Sequence, residues 1–364
     1  MTTTVRPTVR VVTDDGELAA LWPAWDRLLA ESDAATSFLT SAWLGAWRAT
    51  IGRDHELAVT VAMDPASGAL LGAAPFAVET RRIGLRHRAL VFLGQGRPAP
   101  DRLDLVLHPG AASVTAPLLW HRAVRAAAPD LIDLDGLRAD SVVAGLALRR
   151  ARDQRYVTAT VAPVLDLPPT WEDYERSLGK NLRQNLRRYA RKLDREAGAP
   201  VIERMVTDRA EVELTIDALA ALHQSVRTGR GDRGSFDEPA LRSFHRAAAL
   251  GLHDAGRLRL HRLDVDGRAV AVIYCFRHGD TVAFYSTGYD TGFARYGPGR
   301  RIMAVAIRAA IDEGATRFDF LRGDEEYKAA WGTEDAPLTR ILRPTSPRGR
   351  LLWLGAAALG RLGR

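Results

Sequence analysis

Hydrophobic positions along this chain switch repeatedly between a helical spacing and short apolar runs, which predicts an α/β fold. Residues 17–31 carry apolar side chains three and four positions apart, and Trp43 and Trp47 repeat that spacing in a second predicted helix over 37–50. Short apolar runs bounded by polar residues or glycine predict strands. Strands are expected at 8–12, 57–63, 69–78, 88–94, 103–107, 131–137 and 156–167, with helices at 113–127 and 142–150.

The second half of the chain begins after Pro168-Pro169, a dipeptide that interrupts regular structure. Residues 170–197 are predicted to be helical, with one apolar stripe and mostly basic residues elsewhere. The stripe consists of Leu178, Leu182, Leu186, Tyr189 and Leu193. Further helices are expected at 211–228, 239–254 and 299–313, and strands at 199–206, 258–265, 269–278, 281–289, 317–321 and 338–344.

Both halves follow the order strand, helix, helix, several antiparallel strands, helix and strand. This order predicts an α/β (α+β) fold built from two related domains in tandem, each a mixed, mainly antiparallel sheet flanked by helices. We expect an N-terminal domain at 1–167, a C-terminal catalytic domain at 168–345 and an apolar, basic tail at 346–364.

The charge of the chain bears on its partners. A net charge of +7 permits anionic partners such as a nucleotide cofactor, tRNA or an acidic lipid surface, although a modest basic bias without function explains the same number. Only three of the 51 basic residues are lysine, namely Lys180, Lys192 and Lys328. A lysine retained where arginine is the default is of interest because its ammonium has a tunable pKa.

Cysteine usage and the termini bear on location. A single cysteine, Cys275, excludes a disulfide framework and fits a reducing compartment. We expect a cytoplasmic protein, because no signal peptide and no run of 18 apolar residues is evident. The tail LLWLGAAALGRLGR leaves two interpretations open. It caps the core or contacts a partner, or it lies on a membrane surface as a basic amphipathic segment.

A glycine-rich turn precedes the apolar helix predicted at 299–313. Gly297 and Gly299 allow a ligand to approach the backbone, and Pro298 makes the turn rigid. Backbone N–H groups at a helix start, together with cations, suit phosphate groups. The nearby cations are Arg295, Arg300 and Arg301. An ordinary loop before a helix is the alternative interpretation.

An acidic turn with a lysine follows the next strand. Asp319 alternates with two phenylalanines on that strand, so it points to the opposite face and is expected to contact a substrate. Asp324, Glu325 and Lys328 come directly after the strand. A carboxylate here could accept a proton from an attacking amine or alcohol, and the lysine could stabilise negative charge on a carbonyl or phosphate oxygen. A solvated turn with surface ion pairs is the alternative.

Two further features suggest binding. The basic helix at 178–197, with Arg183 and Arg187, could hold the phosphates of tRNA, CoA or a nucleotide-linked substrate, although a solvated charged face is the commoner explanation. Three tyrosines around the glycine turn, Tyr285, Tyr289 and Tyr296, could line an acceptor pocket or simply pack. The histidines are scattered without the spacing of metal ligands, so no metal is expected.

The string GYDTGFARYGPGRRIMAVAIRAAIDEGATRFDFLRGDEEYKAAWG resembles the CelD-like (cellulose-biosynthesis-type) group of GNAT-fold acyltransferases, which are relatives of the FemAB-like peptidoglycan aminoacyltransferases. The resemblance extends to KNLRQNLRRYARKL and LRLHRLDVDGRAVAVIYCF and covers roughly residues 170–345. It implies a bacterial enzyme with two tandem GNAT-like domains and catalysis in a cleft between them. The donor would be an acyl-CoA, as in ordinary GNAT enzymes, or an aminoacyl-tRNA, as in the Fem relatives.

The resemblance also assigns roles to residues. The GNAT donor loop has glycines that match Gly297 and Gly299, but Ala294 occupies the position where the family has Gln or Arg. An aromatic–lysine pair at the Fem active site matches Tyr327 and Lys328. We therefore expect residues 295–301 to bind the donor, Glu325 or Asp324 to act as the base, and Lys328 to stabilise charge.

Three functions are compatible with these assignments. The first is direct transfer of an acyl group, with acetyl preferred, from acyl-CoA to an amine or hydroxyl of a small molecule or cell-envelope saccharide. The second is amide formation from aminoacyl-tRNA. The third, supported by Ala294, is a catalytically degenerate GNAT-fold binding protein.

Overall fold

The computed structural model describes residues 6–34, 36–83, 85–149, 155–228, 236 and 238–358. The chain divides into two compact units, one formed by 1–160 with 337–364 and the other by 161–336. Both are mixed α/β units in which mainly antiparallel sheets are flanked by helices. None of the helices in the described part of the chain combines the length and the apolar character needed to cross a membrane.

The strands, in chain order, are β1 (Thr8–Val12), β2 (Glu56–Leu57), β3 (Val59–Met63), β4 (Leu70–Ala74), β5 (Phe76–Ile83), β6 (Leu85–Phe92), β7 (Val106–Leu107), β8 (Leu131–Arg138), β9 (Arg155–Asp166), β10 (Val201–Met205), β11 (Leu258–Val265), β12 (Arg268–His278), β13 (Thr281–Tyr289), β14 (Arg317–Asp319) and β15 (Glu334–Pro344). The α-helices are α1 (Asp15–Glu31), α2 (Ser41–Ala49), α3 (Ala112–Ala127), α4 (Val142–Leu148), α5 (Trp171–Ser177), α6 (Lys180–Glu196), α7 (Arg209–Thr228), α8 (Pro239–Asp254), α9 (Pro298–Asp312), α10 (Glu326–Ala329) and α11 (Pro347–Ala358).

The first unit contains two groups of paired strands. One has the order β1-β3-β4-β7 and is antiparallel throughout, and helices α1 and α3 pack against it. The other has the order β15-β8-β6-β5-β2, in which β6 and β8 run parallel. The tryptophans of the predicted helical stripes lie in this core, and Trp25 satisfies its indole N–H by donating to the Leu39 carbonyl at 2.8 Å.

A buried carboxylate links three strands of the first unit. Asp133 on β8 is fully buried and accepts hydrogen bonds from Arg340 on β15, at 2.7 and 2.8 Å, and from Arg81 on β5. Burial alone would raise the pKa of Asp133, but the hydrogen bonds and charges of the two arginines outweigh it and lower the pKa below its ordinary value.

The second unit is a sheet of order β10-β11-β12-β13-β14-β9, antiparallel except for the β13–β14 pair. Alternation along β12 sends Ile273 and Cys275 into a core with α9, and Tyr274 and Phe276 to the opposite face beside α8. Cys275 is fully buried and burial raises the pKa of its thiol, which agrees with the expectation of a core residue.

Several predicted elements differ from the structure. The strand predicted at 69–78 stops at Pro75, and β5 and β6 form a longer hairpin through residues that are mostly charged. The helix predicted over 170–197 breaks at Leu178 and Gly179, because Leu178 has extended backbone and Gly179 begins a new helix. The final strand, β15, pairs with β8 in the first unit.

Replacing Asp133 by alanine should lower the free energy of unfolding at pH 7 by about 3 kcal/mol, because two largely desolvated guanidinium groups lose their shared partner. The difference from wild type should shrink as the pH falls through about 4 and below, where the lowered pKa of Asp133 finally allows protonation. Urea unfolding followed by circular dichroism measures both effects. Glu196→Gln, at an exposed ion pair, should change stability by less than about 0.5 kcal/mol. Equal stability of Asp133→Ala and wild type would contradict the assignment.

Candidate functional site

Strands β13 and β14 are paired over only three residues each, and beyond this pairing a gap opens in the sheet of the second unit. Their parallel ladder joins Thr281–Ala283 to Arg317–Asp319, whereas β13 continues to Tyr289. Beyond β14 the chain stays bonded to β9 instead, since Phe320 N donates to Pro163 O and Gly323 N to Val161 O, both at 2.9 Å. The rings of Phe284 and Phe320, 5.9 Å apart and edge to face, fill the base of the gap. Residues 284–289 therefore lack β14 as a ladder partner.

A bulge in β13 adds to this divergence. Tyr274 of β12 pairs with Ser286 and Cys275 pairs with Phe284, so Tyr285 is an extra residue in β13. The side-chain alternation shifts by one position after the bulge. A Cβ on Gly288 would lie 2.5 Å from the backbone N of His223 on α7, so only glycine fits there. Tyr289 in turn packs over the start of α9.

The start of α9 is a tight turn covered by two tyrosine rings. Gly297 has φ +57°, in the left-handed region, and Pro298 occupies the first helical position. A Cβ on Gly297 would lie 2.7 Å from the Tyr189 ring of α6, and one on Gly299 would lie 3.1 Å from the Tyr289 ring. Packing and backbone conformation therefore require glycine at Gly297, whereas a Cβ at Gly299 would need a small shift of the Tyr289 ring. Helix α6 lies directly against the turn.

The cations around this turn fall into two groups. Arg301 is committed to the protein, because it pairs with Asp194 at 2.8 Å and with Glu203 at 2.5 Å. Arg187 likewise forms a bidentate pair with Glu175, and Arg183 donates to the Arg176 carbonyl at 3.2 Å. The remaining group makes no ion pair within the residues that the structure describes, and consists of Arg188, Lys192, Arg295 and Arg300.

Aromatic rings hold three of these available cations close to the turn. Arg188 lies over the Tyr189 ring at 5.0 Å, and Lys192 and Arg295 lie over the Tyr296 ring at 5.5 and 4.7 Å. Tyr296 is itself buried and accepts a hydrogen bond from Arg295. The start of α9 thus combines the helix dipole and the Gly299 N–H with an arc of cations that lack carboxylate partners, an arrangement that attracts phosphate groups. The next two N–H groups, of Arg300 and Arg301, donate to the Gly297 carbonyl.

The turn after β14 is held by the ammonium of Lys328. Its Nζ lies 3.1, 2.9 and 3.2 Å from the carbonyl oxygens of Leu321, Arg322 and Gly323, and 2.9 Å from Glu325 Oε2. The side chain is only 4% exposed. Leu321 has φ +54°, which is costly for a residue with a side chain, so the turn needs this support.

The predicted role of Lys328 changes as a result. An ammonium has three N–H groups, and four acceptors of the protein already surround this one. It therefore has no N–H left for a carbonyl or phosphate oxygen of a ligand in this arrangement. Lys328 therefore fixes the backbone of the turn. The sequence could not reveal this role, because the partners of Lys328 are mainly main-chain oxygens.

The other predicted catalytic residues lie on the exposed side of this turn. Asp324 is exposed, Glu325 is bound to Lys328, and the Tyr327 side chain is 45% exposed. Asp319, which was expected to face a substrate, is buried, and its Oδ1 accepts from Leu321 N at 2.9 Å. Asp319 thus supports the turn from inside.

The expectation that three tyrosines surround the glycine turn is wrong for Tyr285. Because of the bulge, its ring packs with His245 of α8 and with Tyr274 and Phe276, on the face opposite α9. Tyr289 and Tyr296 do lie at the turn. Tyr189 completes that aromatic cover, although its place in the apolar stripe of the sequence suggested only core packing.

A separate open cavity of about 640 Å³ is lined in part by residues 329–332, which directly follow Lys328 in the sequence. Its apolar lining includes Leu165, Leu178 and Trp331, and its two carboxylates, Asp166 and Asp173, pair with Arg317 and Arg176. It contains none of the residues predicted to bind a ligand. Among the described residues, no cluster of three or more His, Cys, Asp or Glu side chains could hold a metal ion.

Lys328→Met should cost about 3 kcal/mol of unfolding free energy, because one buried and two partly buried carbonyl groups lose their donor. Amide hydrogen exchange at 320–323 should accelerate in the same variant. Lys180→Met is the matched control, since Lys180 is exposed at the start of α6 and should tolerate the change within about 0.5 kcal/mol. Identical stability and identical exchange for the two variants would refute the clamping role.

Comparisons with known proteins extend this picture. A family model described as an acetyltransferase (GNAT) domain matches residues 180–329, which run from α6 to α10 and include the strand gap, the start of α9 and Lys328. No curated protein sequence matches the chain.

Several solved structures are similar in fold at low sequence identity. FemX aligns with a TM-score of 0.61 and 10% identity over 87% of this chain and 95% of its own. The C-terminal domain of a putative lysylphosphatidylglycerol synthetase from Agrobacterium fabrum gives 0.56 and 12% over 94% and 96%, and L-PGS from Bacillus licheniformis gives 0.55 and 12% over 97% and 98%. The fold is thus a mixed α/β fold of the GNAT type, and the match of residues 180–329 to an acetyltransferase (GNAT) domain supports an acyltransferase enzyme.

Proposed function

We propose that this enzyme transfers an acyl group, with acetyl as the preferred group, from acyl-CoA to an amine or hydroxyl by direct attack. The observation that carries the proposal is the gap between β13 and β14, with the cationic start of α9 at the end of β13. An extended donor arm with amide groups can pair with a strand edge that has lost its neighbour. The donor's phosphates would then meet the N–H groups of α9 and the unpaired arginines.

The division among the cations supports a phosphate-bearing donor. Arg295 and Arg300 flank the turn without carboxylate partners, so binding an anion would not first require an ion pair to break. Arg301 is excluded from direct contact by Asp194 and Glu203 and instead fixes the turn against α6 and β10. The proposed donor-binding residues therefore leave out Arg301 and form a smaller set than the predicted stretch 295–301.

In the proposed reaction, the acceptor nitrogen or oxygen attacks the thioester carbonyl carbon, and the carbon–sulfur bond breaks. The proton of the acceptor passes to the Asp324 carboxylate, which is exposed and has no ion pair within the described residues. Partial burial and the charge of Glu325 raise the pKa of Tyr327, so its O–H stays protonated and donates a hydrogen bond to the leaving thiolate. The proton that Asp324 has accepted then passes to the thiolate, and both side chains return to their starting state. Lys328 and Glu325 hold both residues in place by fixing the turn.

An aminoacyl-tRNA donor is the second candidate. It is favoured by α6, where Arg188, Arg191 and Lys192 make no ion pair within the described part of the chain and continue the cationic surface beyond what a single CoA needs. The fold similarity to FemX over nearly its whole length is compatible with it. In this alternative the ester carbonyl of the aminoacyl-tRNA takes the place of the thioester.

The acceptor and the narrower family are also proposals. Sequence motifs favour the CelD-like group and a cytoplasmic enzyme acting on a small molecule or a cell-envelope saccharide. The open cavity after Lys328 supports an acceptor with an apolar part, since leucines and Trp331 line it. Membrane contact through the C-terminal helix is compatible with such an acceptor.

Donor identity is tested by thermal shift and by salt titration. Acetyl-CoA at 100 times its Kd should add about 2.7 kcal/mol to stability. The double variant Arg295→Ala/Arg300→Ala should weaken this binding about tenfold or more, whereas Arg176→Ala on exposed α5 should not. If no acyl-CoA binds, but aminoacyl-tRNA binds with an affinity that falls about 10³-fold or more between 50 and 200 mM salt, the tRNA alternative is correct.

The base is tested by two neighbouring acids. Asp324→Asn should lower kcat about 10²-fold or more and leave the KM for the donor unchanged, because the carboxylate acts only on the acceptor proton. Glu326→Gln, two residues away and also exposed, should keep kcat within a factor of about 3. Equal rates for the two variants would exclude Asp324 as the base.

A further inference from the structure

Three large apolar side chains are exposed on two neighbouring elements of the first unit, α11 and β6. Leu351 and Leu354 of α11 are 65% and 58% exposed, and Leu85 at the start of β6 is 53% exposed. Leucines rarely remain this accessible in a group unless the surface contacts something apolar. The two helical leucines are three residues apart, so they share one face of α11.

The packing of α11 places the helix beside the β6 strand that carries Leu85. Gly349 fits the helix tightly against the neighbouring strand, because a Cβ there would lie 2.0 Å from the Asp130 carbonyl oxygen. Ser346 fixes the start of the helix by donating to Asp130 Oδ1 at 2.6 Å. Arg348 then reaches the Arg86 carbonyl of β6 at 3.5 Å, next to Leu85. Helix α11 therefore lies beside the end of β6 that begins at Leu85.

Arginines surround the exposed leucines. Arg82 and Arg86 are cross-strand partners in the hairpin, and Arg348 and Arg350 lie on α11. All four are exposed. Within the described residues, Arg82, Arg86 and Arg350 make no ion pair, so their charge is available to an outside partner. We call these four arginines and three leucines the hairpin–helix patch.

We propose that the hairpin–helix patch docks the enzyme on an anionic lipid bilayer. Leucines that stand out among unpaired arginines suit the boundary of a bilayer, where acyl chains take up the apolar side chains and anionic headgroups meet the guanidinium groups. Charge complementarity selects this occupant, because a protein surface would need a matching acidic ring around an apolar centre. The inference does not depend on the identity of the acyl donor.

Flotation with lipid vesicles tests the proposal. The full chain should bind vesicles of phosphatidylglycerol and phosphatidylcholine, bind pure phosphatidylcholine at least about tenfold more weakly, and dissociate as salt is raised. Arg82→Glu/Arg86→Glu and Leu351→Ser/Leu354→Ser should each reduce binding about tenfold or more. Circular dichroism and donor binding should stay unchanged, since all four side chains are exposed.

Two controls separate this patch from general basic character. Leu214→Ser removes a leucine that is 68% exposed on α7, and Arg188→Glu/Arg191→Glu reverses charge on α6. Both should bind anionic vesicles like the wild type. Wild-type binding by the patch variants, or loss of binding in the α6 variant alone, would overturn the proposal. Failure of the wild type to bind anionic vesicles would also overturn it, and would point to a protein partner.

Discussion

The ammonium of Lys328 is the interaction on which the strand gap in the second unit depends. It gathers three consecutive carbonyl oxygens and the Glu325 carboxylate, and so it holds a turn whose Leu321 has an unfavourable backbone conformation. The chain after β14 consequently follows β9 rather than β13. Lys328 and the hydrogen bonds to β9 together keep the gap between β13 and β14 open beside the start of α9.

The same unit separates cations that build the fold from cations that remain available. Arg301 and Arg187 satisfy carboxylates on neighbouring elements, whereas Arg295 and Arg300 rest near aromatic rings or in solvent. Cation–π contacts orient a guanidinium while leaving its N–H groups usable. The composition of the chain cannot tell paired arginines from available ones. That distinction depends on which carboxylates lie near each arginine in the folded protein.

Sequence reasoning predicted the fold class and most elements, because periodicity reports directly on burial. The apolar stripe of α6 and the order from β11 to α9 are confirmed by the structure. It could not predict the bulge at Tyr285, which moves that side chain to the face beside α8, because a one-residue insertion leaves the hydrophobic pattern almost intact. Lys328 was singled out by its rarity, but its main-chain partners carry no sequence signal.

Hydrogen exchange in the presence of acetyl-CoA tests the central claim most directly, namely that the donor occupies the gap between β13 and β14 and reaches the start of α9. Saturating acetyl-CoA should slow amide exchange at residues 286–289 of β13 and at residues 299–301 of α9, while the β5–β6 hairpin stays unchanged. Bound acetyl-CoA that leaves exchange at both of these segments unaltered would contradict the account.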